Sequence, residues 1–152
     1  MDFHLHWTPA EVKLVASMSS YTEMKKFALN FLKRLPGTPV LQVCGPISTG
    51  GRGSVQANME AFREAIEWLS RQSKTVFDQR PFQIAMARLV EARTEPGYDH
   101  DLLNEFYLPV FESGHIHELH FLKGWQSSVG ARWEHEQALR LDIAIVYLPE
   151  KF

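Results

Sequence analysis

The chain has 152 residues, of which 45% are hydrophobic and 22% are charged. This composition is typical of an ordinary globular protein, and the length suits one domain with a core of its own. The formal net charge of -2 lacks the basic excess of a nucleic-acid-binding protein. No apolar run approaches the roughly 20 residues of a membrane-spanning helix, and the first residues do not resemble a secretory signal.

The single cysteine, Cys44, excludes an internal disulfide and suits a reducing compartment. We therefore expect a cytoplasmic protein with neither a membrane nor a nucleic acid polymer as its partner.

Two helices are predicted before the first clear strand. Thr8 to Glu11 and Ser20 to Glu23 each have the pattern of a capping box, in which a hydroxyl and a glutamate satisfy the first free N–H groups of a helix. The second helix ends at Pro36-Gly37. Before them, Phe3, Leu5 and Trp7 alternate with polar residues and allow a short edge strand. We interpret residues 1–39 as an N-terminal helical extension that either covers a sheet face or forms an oligomer contact.

From residue 40 onward, predicted strands and helices alternate. In order they are a strand at Val40–Cys44, a helix at Ser54–Arg71, a strand at Thr75–Phe77, a helix from Pro81, a helix at Asp99–Tyr107 that is ended or kinked at Pro109, a strand at Ile116–Leu122, a helix that carries Glu134, and a strand at Asp142–Leu148. This order predicts right-handed βαβ units and a mainly parallel sheet covered on both faces. With no linker in view, residues 1–152 are predicted to form a single domain.

A glycine-rich loop follows the first strand. Four glycines within the nine residues 45–53 let the backbone take positive φ and point successive N–H groups at an anion. Arg52 adds a charged fork for a phosphate. The loop matches neither a P-loop nor a dinucleotide-binding fingerprint, so a phosphate site and a plain flexible turn are equally compatible with it.

A second loop, residues 124–130, leads into the helix of Glu134. Ser127 and Ser128 either cap this helix or, together with its free N–H groups, hold a phosphate. Gly130, Glu134 and Ala138 are spaced by four and share one helical face, so two small residues leave room for a ligand beside the carboxylate. The alternative for Glu134 is a solvated helix face, and for Trp125 it is ordinary packing in place of stacking on a base.

Four histidines suggest a metal site, which we weigh against ordinary packed or surface histidines. His115 and His117 share one face of a strand, but no cysteine or aspartate completes a recognisable ligand set with them or with His120 and His135. No metal and no cofactor are predicted.

The segment Val43-Cys44-Gly45-Pro46-Ile47 and the segment from Gly124 to Ala138 resemble the nucleoside 2-deoxyribosyltransferase-like superfamily, and within it the DUF4406 group. The resemblance spans roughly residues 40–148. It implies a flavodoxin- or Rossmann-like three-layer sandwich with four or five strands, a nucleotide or nucleoside as substrate, cleavage of its N-glycosidic bond, and a homo-oligomer. It also implies that Glu134 is the nucleophile and that Ser128 binds a 5′-phosphate.

The resemblance further implies a substrate-binding role for the two loops. The residues concerned are Gly45, Pro46, Ile47, Gly50, Gly51, Arg52, Trp125, Ser127, Ser128 and Gly130.

The chain departs from the family in two places. The aspartate that protonates the leaving base has no aligned counterpart, and Asp99 and Asp101 are candidates by position alone. Gln42 and Val43 lie near the place of a frequent tyrosine. We therefore expect either an N-glycosidase or transferase, or a non-catalytic nucleotide-binding protein with the same fold; a metal-dependent hydrolase built on the histidines is a third alternative. In the enzyme, the Glu134 carboxylate should face a pocket bordered by residues 45–53.

Overall fold

The structure is a computed structural model that describes residues 6–48 and 50–152. It is an α/β fold with a four-stranded parallel sheet flanked by helices, which confirms the predicted fold class and is consistent with a flavodoxin- or Rossmann-like sandwich. The elements are α1 Pro9–Ala16, α2 Tyr21–Lys33, β1 Val40–Cys44, α3 Val55–Arg71, β2 Thr75–Val76, α4 Arg80–Glu91, α5 His100–Leu102, a π-helical turn Leu103–Tyr107, α6 Leu108–Glu112, β3 Glu118–Phe121, a 3-10 turn Trp125–Ser127, α7 Val129–Leu141 and β4 Ala144–Tyr147.

The described chain divides into two compact units that interleave in sequence. The helical unit contains residues 6–35 and 78–115, and the sheet unit contains residues 36–77 and 116–152 outside position 49. The prediction of a single domain with a boundary at residue 39 stays a prediction.

The helical unit begins with two capped helices, of which the first has the full predicted capping box and the second has only its hydroxyl N-cap. The Thr8 hydroxyl accepts a hydrogen bond from the Glu11 backbone N–H, and the Glu11 carboxylate accepts one from the Thr8 backbone N–H. Ser20 caps α2 by accepting from the Glu23 backbone N–H. Trp7 is buried, lies in no strand, and stacks on Phe31 with ring centroids 4.3 Å apart. The other two residues of the predicted edge strand, at positions 3 and 5, lie outside the described residues.

The helix around Pro109 differs from the prediction. We expected it to end or kink at this proline. Because α6 runs through Pro109 as far as Glu112, the helix does not end there, and the kink stays a prediction. The preceding turn, Leu103–Tyr107, is π-helical, and the Leu108 N–H bonds to the Leu103 carbonyl five residues back. Proline has no N–H to donate, and in a regular α-helix its ring clashes with the carbonyl four residues back. The π-helical turn lies directly before Pro109, where the regular α-helical pairing is interrupted.

The sheet unit has the strand order β2-β1-β3-β4, and every neighbouring pair is parallel. All five residues of β1 are buried, as expected for a central strand covered on both faces. Helix α3 packs on β1 and β2, and α7 packs on β3 and β4. The β1–β2 and β3–β4 connections run toward opposite edges, so right-handed crossovers place α3 and α7 on opposite faces of the sheet.

Within the described residues, no helix combines the length and the apolar character that crossing a membrane requires.

Candidate functional site

The two predicted loops meet at the carboxyl edge of the parallel sheet. β1 ends at Cys44 and β3 ends at Phe121, and these two residues are register partners on neighbouring strands. The connections from β1 and β3 leave in opposite directions, toward β2 and β4. Such a switch point opens a crevice between two loops, and in open α/β sheets ligands bind there.

Asn58, in the second turn of α3, holds the first loop in shape. Its side-chain Nδ2 donates to the carbonyls of Ile47 (2.9 Å) and Gly50 (3.3 Å), and its Oδ1 accepts from the Arg52 backbone N–H at 2.8 Å. Asn58 is 3% exposed. The loop is therefore a folded structure with a buried polar anchor, and not merely a flexible turn.

Glycine is required at two positions of this loop. Gly50 has φ +66°, and a Cβ there would lie 2.4 Å from the Ser127 carbonyl oxygen. Gly51 has φ +65°, and a Cβ would lie 2.6 Å from the Pro46 Cβ. The left-handed backbone and the close approach both exclude a larger residue.

Ser127 joins the second loop to the first. Its hydroxyl accepts a hydrogen bond from the Gly51 backbone N–H (2.8 Å) and donates one to the Gly124 carbonyl (2.7 Å). The structure thus brings together the two loops that the sequence singled out. The other predicted loop residues lie in the same region: Gly45 and Pro46 are buried, and Ile47 and Gly130 are half-buried.

Ser128 takes the capping role that was one of its two predicted alternatives. It is 4% exposed, and its Oγ accepts a hydrogen bond from the Ala131 backbone N–H at 3.2 Å, at the first turn of α7. A cap of this kind leaves the other N–H groups of the first turn as the polar groups that can meet an anion.

Glu134 is buried on α7, with 8% of its surface exposed. Its Oε2 accepts from the Cys44 thiol at 3.3 Å and from the Gln42 side-chain Nε2 at 3.4 Å. The predicted solvated helix face is therefore excluded. Both donors belong to β1, and Cys44 is the residue directly before the glycine loop. The hydrogen bonds to the carboxyl therefore come from the strand and not from the loop.

The surroundings of Glu134 disfavour its charged form. Burial raises the pKa of Glu134 to about 8, although the hydrogen bond from Cys44 acts in the opposite direction. No ion pair joins Glu134 to a basic residue within the described chain. Burial and the neighbouring carboxyl together raise the pKa of the Cys44 thiol well above its usual range. A buried carboxyl without a cation is costly to ionise, and such groups concentrate at functional sites.

Arg52 and Trp125 have protein partners in the structure. The Arg52 guanidinium forms an ion pair with Glu64 at 3.1 Å on the surface of the sheet unit. The Trp125 ring stacks on His135, with centroids 4.3 Å apart and planes 11° apart. The His135 ring thus covers one face of Trp125, the residue considered for stacking on a base.

Asp99 and Asp101, the candidate acids, belong to the helical unit. Asp99 is 5% exposed, accepts from the Tyr21 hydroxyl at 2.5 Å, and lies 3.8 Å from the Arg93 Nε. Its other oxygen caps α5 by accepting from the backbone N–H groups of Asp101 and Leu102. Asp101 is exposed. These contacts give Asp99 a structural role of its own, as the buried anchor of a short helix.

Three of the four histidines have side-chain contacts within the sheet unit. His117 Nδ1 accepts from the Val40 backbone N–H at 2.9 Å, His120 Nε2 lies 2.8 Å from Glu118 Oε1, and His135 Nε2 lies 2.7 Å from the Tyr147 hydroxyl. His115, the last residue of the helical unit, is half-buried. In the part of the chain that the structure describes, no three acidic, histidine or cysteine side chains group closely enough to hold a metal ion.

Sequence reasoning missed Asn58 and Gln42. The sequence did contain a signal for Asn58, because it lies four residues after Ser54, one turn into the helix that follows the glycine loop. Gln42 offered a weaker signal, a polar residue inside an otherwise apolar strand. A buried polar side chain in a central strand needs a partner, and Glu134 provides it.

Comparisons of the chain with models of protein families, with curated proteins and with solved structures found no match.

Proposed function

We propose that this protein cleaves the N-glycosidic bond of a nucleotide or nucleoside, with Glu134 as the catalytic carboxylate. One observation supports this best: the Glu134 carboxyl is buried beside Cys44 at the carboxyl end of β1, next to the two glycine loops that Ser127 joins. The resemblance of residues 40–148 to the nucleoside 2-deoxyribosyltransferase-like superfamily supports the same reaction.

The chemistry follows from the charge that develops on the sugar. Departure of the base leaves positive charge at the anomeric carbon, and a carboxylate beside that carbon stabilises it or forms a covalent intermediate, as in retaining glycosidases. Water then completes hydrolysis, or a second base completes transfer. The positive charge that develops on the sugar also stabilises the ionised form of the buried Glu134 carboxyl. The free-energy cost of ionising Glu134 is therefore offset in the transition state.

Phosphate binding is proposed for the first turn of α7 and the joined loops. The Ser127 and Ser128 hydroxyls already hold Gly51 and Ala131 in place, so they shape the site while backbone N–H groups meet the phosphate. Asp99 and Asp101 stay candidate acids by position alone, and no place in this site is proposed for them. A cytoplasmic location and a homo-oligomeric state belong to the same proposal.

The test is release of free base. The protein is incubated with nucleoside and 2′-deoxynucleoside 5′-monophosphates at pH 8.5, where the Glu134 carboxyl is largely ionised, and the products are separated by chromatography. We expect Glu134→Gln to lower the rate by on the order of 10³-fold. Glu136→Gln is the matched control, since Glu136 is exposed on the same helix. Equal rates for wild type and Glu134→Gln would overturn the assignment.

A non-catalytic nucleotide-binding protein is the second candidate. The observation in its favour is the burial of the Glu134 carboxyl against a thiol and an amide, which raises its pKa to about 8 and favours the neutral form at pH 7. Nucleotide binding measured by calorimetry, without base release at any pH between 6 and 9, would establish this alternative.

A further inference from the structure

The side chain of Gln42 lies beside the Glu134 carboxyl in the interior of the sheet unit. Gln42 is 0% exposed, and its Nε2 donates to Glu134 Oε2 at 3.4 Å. In this hydrogen bond the NH2 group of the amide points toward the carboxyl oxygen, which accepts. This fixes the orientation of the amide and directs its Oε1 away from that contact.

The Oε1 atom of Gln42 has no hydrogen-bond partner among the described residues. A buried polar atom without a hydrogen-bond partner lowers the stability of the folded state by about 1–3 kcal/mol. In native proteins such an atom usually has a water molecule or a ligand as its partner. Glu134, Cys44 and Gln42 share the face of the sheet on which α7 packs. Gln42 therefore offers an unused acceptor immediately next to the proposed catalytic carboxyl.

The geometry of the sugar indicates which donor this acceptor meets. In a β-nucleoside, a nucleophilic carboxylate approaches C1′ from the ring face opposite the base. The 2′-hydroxyl of ribose lies on the adjacent carbon and projects from that same face. In arabinose the 2′-hydroxyl projects from the other face, and in 2′-deoxyribose it is absent. Hydrogen bonds to the 2-hydroxyl strengthen in the transition state of glycoside cleavage and lower its energy.

We infer that Gln42 is a specificity-determining residue whose Oε1 accepts a hydrogen bond from the 2′-hydroxyl of a ribonucleotide or ribonucleoside. The substrate class is therefore ribose derivatives in preference to 2′-deoxyribose derivatives. This inference rests on the proposed N-glycosidic cleavage by Glu134.

The test compares sugars first and variants second. Base release by the wild-type protein is measured for matched ribo-, 2′-deoxyribo- and arabinonucleoside 5′-monophosphates that carry the same base. We expect kcat/KM for the ribonucleotide to exceed that of both others by roughly 10- to 100-fold, the range of one buried hydrogen bond. Gln42→Leu, which replaces the amide with an apolar side chain, removes this acceptor and also the donor to Glu134. Loss of the donor affects all substrates, whereas loss of the acceptor should abolish the preference for the ribonucleotide over the deoxyribonucleotide.

The outcomes distinguish a failure of the inference about Gln42 from a failure of the proposed function. No base release from any substrate would overturn both. Release without preference for ribose, or an equal loss for ribose and deoxyribose substrates in Gln42→Leu, would leave the enzyme in place and overturn the role of Gln42. If Gln42→Leu fails to fold, as judged by circular dichroism, the comparison of ribose with arabinose on the wild-type protein decides the question without a variant.

Discussion

Two buried carboxyl groups of this protein, Asp99 in the helical unit and Glu134 in the sheet unit, have different surroundings. Asp99, in the helical unit, accepts from a tyrosine hydroxyl and two backbone N–H groups and lies beside Arg93. Glu134, in the sheet unit, accepts from a thiol and an amide alone among the residues that the structure describes. A carboxyl surrounded by strong donors and a cation stabilises the fold, whereas one given only weak donors keeps capacity for a further partner.

The largest expected effect of this difference is the pH dependence of Glu134→Gln. The raised pKa means that the folded state holds a proton that the unfolded state releases, so wild-type stability falls as pH rises from about 4.5 to about 8 and then levels off. We expect the stability of Glu134→Gln relative to wild type to increase over this range, by at most about 4 kcal/mol. Urea unfolding at pH 5, 7 and 9 measures it.

Glu136→Gln provides the control for this series, since its exposed carboxyl should give curves parallel to wild type. Parallel curves for Glu134→Gln as well would mean that the Glu134 carboxyl has an ordinary pKa, and the contrast with Asp99 would disappear.

Asp99→Ala should give the next largest effect, and with the opposite sign. It leaves the Tyr21 hydroxyl and the first N–H groups of α5 without their acceptor, so we expect a loss of about 3 kcal/mol in the free energy of unfolding. Asp101→Ala, at an exposed neighbouring position, should cost less than about 1 kcal/mol. Chemical denaturation at pH 7 compares them. Similar losses in the two variants would show that Asp99 is not the anchor that its contacts imply.

A smaller effect is expected where the two loops meet. Gly50→Ala places a Cβ against the Ser127 carbonyl at a positive φ, and we expect it to lose about 2 kcal/mol. Gly53→Ala also has positive φ but meets nothing within 4 Å, so about 1 kcal/mol is expected. Thermal unfolding distinguishes them; if Gly53→Ala is the more damaging, the close approach of the loops is not what requires glycine at position 50.

The sequence predicted well the features whose causes are local. Strand β1 was predicted with its observed bounds because a run that is apolar except for Gln42 is bounded by Pro39 and Gly45. The capping box at Thr8 and the N-cap at Ser20 depend on residues three positions apart, which a sequence displays directly. The helix end predicted at Pro109 was wrong, because α6 continues to Glu112 after a π-helical turn that no local sequence pattern displays.

The candidate site was predictable only in part. Glycine spacing located both loops, and helical spacing identified Glu134 as a residue with small neighbours. The partners of its carboxyl lie 90 and 92 positions away in the chain, and no local pattern connects them. The environment that raises the pKa of Glu134 therefore arises only when strand β1 and helix α7 pack together.

The strand order has a consequence for how the chain folds. β1 and β3 are neighbours at the centre of the sheet, yet Cys44 and its register partner Phe121 are separated by more than 70 residues, among them the second half of the helical unit. Closing so long a loop is entropically costly and slow, whereas α3 and the helices at 80–112 need only local contacts. During synthesis, β3 and α7 leave the ribosome after β1 and the helical unit, so the environment of Glu134 forms only once α7 has emerged.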